Sequence, residues 1–477
     1  MSDRNAVNQC DIGMIGLGTM GRNLLLNMAD HGFTVAGYDL DKNKVDSLQK
    51  EAQQKNVYGE SDLTTFIKLL KKPCAIMLLV PAGAPVDAVI NSIVPHLQAG
   101  DLIIDGGNSH FTDTDRRARE LEKKDIQFLG VGISGGEEGA RLGPSMMPGG
   151  DRAAYERVRP IFEAVAAKVN GDPCVTYLGK GSAGHYVKMV HNGIEYAIMQ
   201  LIAESYDLMK HGLGLNDQQL HDVYAKWNEG KLNSYLIEIT SHIFSKIDER
   251  THQPLINEIV AVADQTGTGM WTSQSAMELQ VPIPSIDLAV AMRDMSVLVK
   301  QREQAQKLYP RNIPLLSVDR FKFINELENA LFTGMILAYA QGMALLNVAS
   351  QKYNYQLDLE AVARIWRGGC IIRAKLLEDI RQAFHANKNL INLLLDANLA
   401  KKINQGEQNL RQIICQTSLI AVPMPAHMVS LSYLDAYRSV WTPANLIQAQ
   451  RDYFGAHQYA RKDSEGKFHT EWERNLT

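Results

Sequence analysis

No two of the chain's five cysteines stand in a C-x-x-C spacing; they are scattered at positions 10, 74, 174, 370 and 415. An odd, dispersed set of this kind excludes a disulfide framework and a thiolate zinc site, and fits reduced cytosolic thiols. The thirteen histidines include no H-E-x-x-H pair, so no metal site built by the protein is expected. Positive charge is not in excess: 49 Lys and Arg against 53 Asp and Glu leave a formal charge of −4, which offers no basic field to nucleic acid. The opening MSDRNAVNQC is polar and lacks an apolar signal core. Nor does any stretch read as the ~18–20 apolar residues of a membrane span, so a cytoplasmic location without membrane contact is expected. What is left is a globular composition over 477 residues, too long for one ordinary core, and two or three domains are expected.

The chain starts with a short apolar strand, Ile12–Ile15, followed by Gly16-Leu17-Gly18-Thr19-Met20-Gly21 and a helical pattern. G-x-G-x-x-G alone is a weak signal. Here it follows a strand, opens a helix, and is trailed by a second strand, TVAGYD, that ends in Asp39. That context marks a dinucleotide site. Gly16 suits the tight turn, Gly18 lets the backbone approach a pyrophosphate, Gly21 allows close helix–strand packing, and the helix N-terminus receives the phosphate charge. The competing reading is a plain β–α turn. Further apolar runs, CAIMLLV (74–80), LIIDGGN (102–108) and IQFLGVGISGG (126–136), alternate with helical stretches. They predict an α/β Rossmann-type, doubly wound parallel sheet over residues 1–180. Ligands of such sheets sit beyond the carboxyl ends of the strands. Those ends carry Val80-Pro81-Ala82, Gly106-Gly107-Asn108 and Ser134-Gly135-Gly136-Glu137-Glu138, which are either tight loops or turns that aim N–H groups at an anion.

From about residue 180 long helical periodicities take over, predicting a large all-α domain over 181–439. It reads as internally duplicated: 203–239 parallels 340–380, with Trp227 matching Trp366. The stretch GHYVKMVHNGIEYAIMQLIAE (184–204) sets Lys188, His191, Asn192 and Glu195 at i, i+3, i+4 and i+7, one stripe of a helix. A solvated face with an ordinary salt bridge is the plain reading. Its flanks, Val187, Met189, Val190, Ile194, Ala197 and Ile198, are too apolar for a wet face, and buried charge is costly unless paired or used. The second copy has Asn325, Glu328, Asn329 and Phe332 at the matching positions, without the lysine or the last carboxylate. One active site per chain, on the first copy's helix, is therefore expected. The C-terminal tail, 440–477, is polar, aromatic and weakly periodic, with little capacity for a core of its own; it is expected to be disordered or docked on another body such as a second subunit. It carries Arg451 and His457.

Seven segments, GLGTMGRNLLLN, DGGNS, SGGEEGAR, VKMVHNGIEY, GTGMWT, WRGGCIIR and ANLIQAQRDYFGAH, together resemble the decarboxylating 6-phosphogluconate dehydrogenases of the β-hydroxyacid dehydrogenase superfamily. The likeness runs over essentially the whole chain. It implies a homodimer with shared active sites, in which the tail enters the partner subunit. It also implies oxidative decarboxylation of 6-phosphogluconate, a sugar-acid phosphate, to ribulose 5-phosphate with reduction of NAD(P), a step of the pentose phosphate pathway. Lys188 would be the base on the substrate 3-hydroxyl, and Glu195 the acid that protonates the enediol carbon. Asn108 and Ser134-Gly135-Gly136 would hold the sugar-acid end, and His191 and Asn192 its hydroxyls. Tyr196, Thr268 and Arg293, with Arg451 of the partner subunit, would meet the phosphate, two arginines being suited to a dianion; His457 of the partner subunit would complete the pocket.

The chain departs from the family pattern in two places. The family's K-G-T-G-K-W reads Thr266-Gly267-Thr268-Gly269-Met270-Trp271 here, without the lysine that helps to hold the substrate phosphate. Members that use NADP carry Asn-Arg-Thr after the second strand, with the arginine on the 2′-phosphate. This chain has Asp39-Leu40-Asp41, and the usual Val-Lys-Ala reads Val80-Pro81-Ala82. A carboxylate at Asp39 accepts from a free ribose 2′-hydroxyl and repels a 2′-phosphate, so NAD is expected to be favoured over NADP. Lys42, Lys44 and Arg22 are the nearby cations that oppose this preference. Two other functions stay open: a dehydrogenase of another 3-hydroxy sugar acid, toward which the missing lysine points, and a non-catalytic nucleotide-sensing protein, against which the acid–base pair argues.

Overall fold

The computed structural model describes residues 9–53 and 55–472; the first eight residues of the polar opening and the last five of the tail lie outside it. Seven strands form one sheet: β1 (Ile12–Ile15), β2 (Val35–Tyr38), β3 (Val57–Glu60), β4 (Ala75–Leu78), β5 (Leu102–Asp105), β6 (Gln127–Ser134) and β7 (Ser145–Gly150), in the order 3-2-1-4-5-6-7. Every residue of β1, β4 and β5 is buried, as apolar strands covered on both faces by helices must be. One face packs Leu24, Leu25 and Met28 with Val158 and Phe162. The other packs Phe66, Val86 and Ile90 over Ile76 and Ile103. The strand order reverses between β1 and β4, which opens a crevice at the carboxyl ends of these strands.

Two strands correct the sequence expectation. β3, with the half-buried sequence VYGE, is an edge strand without a continuous apolar run. β7 pairs antiparallel to β6, from Leu129↔Gly150 to Ser134↔Ser145, so the sheet is not wholly parallel. The link between β6 and β7 holds only the short helix Gly136–Leu142, less than the dozen or more residues a parallel crossover needs.

The helix Ala183–Asp207, hereafter the site helix, begins directly on this sheet. A Cβ at Gly184 would lie 2.2 Å from the Met147 carbonyl and 2.3 Å from that of Gly130, so helix backbone rests on strand backbone there. The duplication is visible in the element order. Ala183–Asp207, Asp217–Asn228 and Tyr235–Ser245 are followed later by Arg320–Lys352, Leu359–Trp366 and Leu376–Ala386, with Trp227 and Trp366 near the ends of corresponding helices. The copies meet in a short antiparallel bridge, Ser234 against Ala374. The Arg320–Lys352 helix corrects the expectation that no stretch could span a membrane: by length and composition it could, but 83% of its apolar window is buried inside the protein, as befits a core helix.

The chain divides into two compact units, 1–430 and 431–477. The second has more internal order than its weak periodicity suggests. Its helix Ala444–Gly455 is followed by a chain reversal in which Tyr459 and Phe468 exchange backbone hydrogen bonds of 2.8 and 2.9 Å.

Candidate active site

The first β–α turn is shaped for close approach. Gly16 has φ +98°, and a Cβ on it would stand 2.4 Å from the Leu79 carbonyl; at Gly18, by contrast, nothing lies within 4 Å. No side chain caps the helix Thr19–Asp30, so its leading N–H groups face that open space, which fits a pyrophosphate. Asp39, at the end of β2, accepts the Leu17 N–H and the Asp41 N–H, both at 2.9 Å. Partial burial pushes its pKa up, but those two bonds and Lys44, 3.4 Å away, hold it below the usual carboxylate value. Leu40 is exposed at 85%. The Asp41 carboxylate instead caps the helix Lys42–Ala52, accepting the Asn43 N–H at 3.0 Å. Val80, Pro81 and Ala82 wall a cavity of about 600 Å³ together with Gly107, Asn108 and Trp271.

A second cavity of about 380 Å³ is lined by Asn108, Ser134, Gly135, Gly136, Lys188, Asn192, Glu195, Tyr196, Thr268 and Arg293. The two cavities share Met20, Asn108, Ile133 and Thr266, so they adjoin. The Arg293 guanidinium lies 3.4 Å over the Tyr196 ring, and Asn192 donates to the Thr268 hydroxyl at 3.1 Å. His191 differs from the rest of the stripe: it is fully buried behind the cavity wall. Its Nδ1 is 3.0 Å from Asn192 Oδ1 and its Nε2 is 3.2 Å from Ser134 Oγ. A neutral ring satisfies both, donating to the amide oxygen and accepting from the hydroxyl. Burial, reinforced by the charge of Lys188, lowers the His191 pKa well below its ordinary value.

The two ends of the stripe are perturbed in opposite directions. Lys188 is only 6% exposed, and burial lowers its pKa against the pull of Glu195. Burial raises the pKa of Glu195 against the pull of Lys188 and Arg293. Each group is thereby moved toward the neutral form, a useful state for a base and an acid that must exchange protons near neutral pH.

Ile133, Asp264 and Ile371 also line the second cavity, and sequence reasoning did not single them out. Ile371 lies in the WRGGCIIR segment, 237 residues from Ser134, whose hydroxyl accepts its N–H at 3.2 Å. The second copy thus walls the site built on the first copy's helix. Its counterpart stripe is engaged elsewhere: Glu328 and Asn329 both meet Lys231. Met270, where the family motif has lysine, is 40% exposed on the helix Thr268–Glu278. Arg451 and His457 belong to the 431–477 unit, where Arg451 donates to Gln448 at 3.1 Å and the His457 ring stands edge-on to Phe454.

Both halves of the chain match known families. The NAD binding domain of 6-phosphogluconate dehydrogenase matches residues 11–179, and the C-terminal domain of 6-phosphogluconate dehydrogenase matches residues 184–472. The NADP(+)-dependent, decarboxylating 6-phosphogluconate dehydrogenase of Bacillus subtilis (strain 168) is 49% identical over 97% of this chain and 98% of its own. A decarboxylating 6-phosphogluconate dehydrogenase of Saccharomyces cerevisiae is 49% identical over 94% of this chain and 92% of its own. The fold superposes on the Plasmodium falciparum 6-phosphogluconate dehydrogenase, a structure described in apo form, with its cofactor NADP+ and with its substrate 6-phosphogluconate. That match has a TM-score of 0.94 at 44% identity, covering 97% of this chain and 100% of the other. In sequence and in fold, this chain belongs to the 6-phosphogluconate dehydrogenase family.

Proposed function

We propose that the protein oxidises 6-phosphogluconate and removes CO2 from it to give ribulose 5-phosphate, with a nicotinamide dinucleotide as the oxidant. The observation that carries this reading is a buried lysine and a partly buried glutamate on one helix, facing a cavity that adjoins a dinucleotide cleft. The dinucleotide, when bound, supplies the acceptor for the hydride lost from the substrate C3. Lys188, its amine made easier to hold neutral by burial, accepts the 3-hydroxyl proton. The resulting ammonium donates to the new keto oxygen and stabilises the enediolate as CO2 leaves. Glu195, holding its proton more tightly than an ordinary carboxyl, protonates the enediol at the carbon that has lost CO2, the substrate C2.

The other residues position the substrate. Asn108 and the Ser134-Gly135-Gly136 turn hold the sugar-acid end, and Asn192 a hydroxyl. His191, behind the wall, orients Asn192 and Ser134 through its two ring nitrogens. Tyr196, Thr268 and Arg293 meet the phosphate, the guanidinium being held over the Tyr196 ring. In a cytoplasmic homodimer, Arg451 and His457 of the partner subunit complete the pocket.

We further propose that NAD is preferred over NADP. The Asp39 carboxylate is held ionised at the end of β2, and Leu40 offers no cation there. Thr266 and Met270 in place of lysines leave room for a second reading, a preference for an unphosphorylated sugar acid. Turnover of 6-phosphogluconate and of gluconate, each with NAD and with NADP in one buffer, tests all of this. The expected result is 6-phosphogluconate with NAD as the best pair. Faster turnover of gluconate would reject the phosphate assignment.

A further inference from the structure

Asp452 is the buried residue of the helix Ala444–Gly455, a mostly exposed element. Its carboxylate collects four donors that come from well along the chain. Oδ1 lies 2.9 Å from the Gln458 N–H and 3.0 Å from His469 Nδ1. Oδ2 lies 3.0 Å from the Thr470 N–H and 2.9 Å from the Trp472 indole N–H. Two carboxylate oxygens can accept all four, and nothing but an ionised carboxylate offers that many acceptors in so small a group. Burial pushes the Asp452 pKa up, but these bonds overcome it and hold the group at about 2. The segment 444–472 is therefore gathered about a polar centre.

That centre lies next to two residues already given a role. Arg451 is its chain neighbour. His457 lies between Ala456 and Gln458, whose φ values of +47° and +60° are in the left-handed region that L-residues avoid. The Asp452 carbonyl accepts the Ala456 N–H at 2.9 Å, and its carboxylate accepts the Gln458 N–H. One residue thus holds the backbone on both sides of His457.

We infer that Asp452 is a positioning residue for substrate binding: its four-donor carboxylate fixes the geometry in which the tail presents Arg451 and His457 to the partner subunit's site. This inference rests on the reading in which the tail crosses between subunits. An asparagine at 452 would turn an NH2 toward two of the donors, so the nearly isosteric change breaks the arrangement.

The test uses full-length dimers of Asp452→Asn and Trp472→Phe, and the latter removes one donor only. A hydrogen bond to a charged group is worth roughly a 10- to 100-fold change in an equilibrium constant. KM for 6-phosphogluconate should rise by about tenfold in Trp472→Phe and by more in Asp452→Asn, with KM for the dinucleotide unmoved. In mixed dimers of Asp452→Asn with Lys188→Met, one site has both an intact lysine and an intact tail. It should turn over with the wild-type KM for 6-phosphogluconate. Mixed dimers of Arg451→Ala with Lys188→Met serve as the reference. If they recover activity while Asp452→Asn homodimers keep a wild-type KM, or while the Asp452→Asn mixture keeps a raised one, the positioning role is wrong. If the Arg451→Ala mixture itself shows no recovery after verified subunit exchange, the crossing of the tail is wrong, and this inference falls with it.

Discussion

Gly132 on β6 lies directly beneath Lys188: a Cβ at that glycine would stand 2.3 Å from the lysine Cβ and 2.9 Å from its Cγ. The stem of the proposed base rests on strand backbone, so the position of the amine depends on a glycine that is not part of the cavity lining. Gly132→Ala forces helix and strand apart. It should cost about 1–3 kcal/mol of stability, the usual penalty of overpacking, and displace the amine enough to cut kcat by about a hundredfold. Gly18→Ala is the contrasting case, since its Cβ meets nothing. It should leave the unfolding midpoint unchanged while weakening dinucleotide binding, as read by titration of nucleotide fluorescence.

Lys188→Met should lower hydride transfer by at least ~10²–10⁴-fold, the range for loss of a general base, with dinucleotide affinity retained. Glu195→Gln should spare the oxidation and slow the steps after it, so that single-turnover traces show nucleotide reduction running ahead of CO2 release. Equal slowing of both steps would argue against Glu195 as the later acid.

The pKa directions fix the sign of two pH effects. Lys188 is lowered by burial, and the charge of Glu195 opposes that lowering. Removing that charge in Glu195→Gln lowers the lysine further, so the acid limb of the kcat/KM profile for hydride transfer should move to lower pH. A move to higher pH would show that another group sets this limb. For stability, a folded-state pKa below the unfolded value favours the neutral amine. Its contribution is full above the unfolded lysine value and is lost as pH falls through the folded one. Near neutral pH the folded protein therefore bears a cost that Lys188→Met removes, and the variant's thermal midpoint should equal or exceed that of the wild type.

The cofactor preference should follow the end of β2. Two like charges a few ångströms apart cost on the order of a few kcal/mol near a protein surface, enough for a clear preference. Asp39→Asn with Leu40→Arg should shift the kcat/KM ratio toward NADP by at least about tenfold, which is ~1.4 kcal/mol. A wild-type ratio that already favours NADP would mean that Lys44, 3.4 Å from Asp39, outweighs the carboxylate.

Much of this was legible because it is local. The buried strand Ile12–Ile15, the glycine turn after it and the spacing of Lys188 and Glu195 are patterns within a few residues. What was not legible depends on contacts far apart in the chain. Ile371 reaches Ser134 across 237 residues, and no periodicity announces that. β7 runs antiparallel because of the length of the link before it, while its sequence, SMMPGG, gives little strand signal. The order of the tail went unseen because its centre is one aspartate and four donors, and a search for apolar spacing passes over such a centre. Helical spacing puts His191 on the stripe, and its role toward a substrate hydroxyl is implied by the family resemblance alone. Position on a stripe does not settle whether a ring lines the cavity or stands behind it.

In the proposed reaction one site both oxidises and decarboxylates. The most direct test follows 6-phosphogluconate labelled at C1 and measures released CO2 and reduced dinucleotide in the same reaction. One labelled CO2 is expected for each dinucleotide reduced by the wild-type protein. Reduction without CO2 release, or no 6-phosphogluconate-dependent reduction with either dinucleotide, would contradict the proposed reaction.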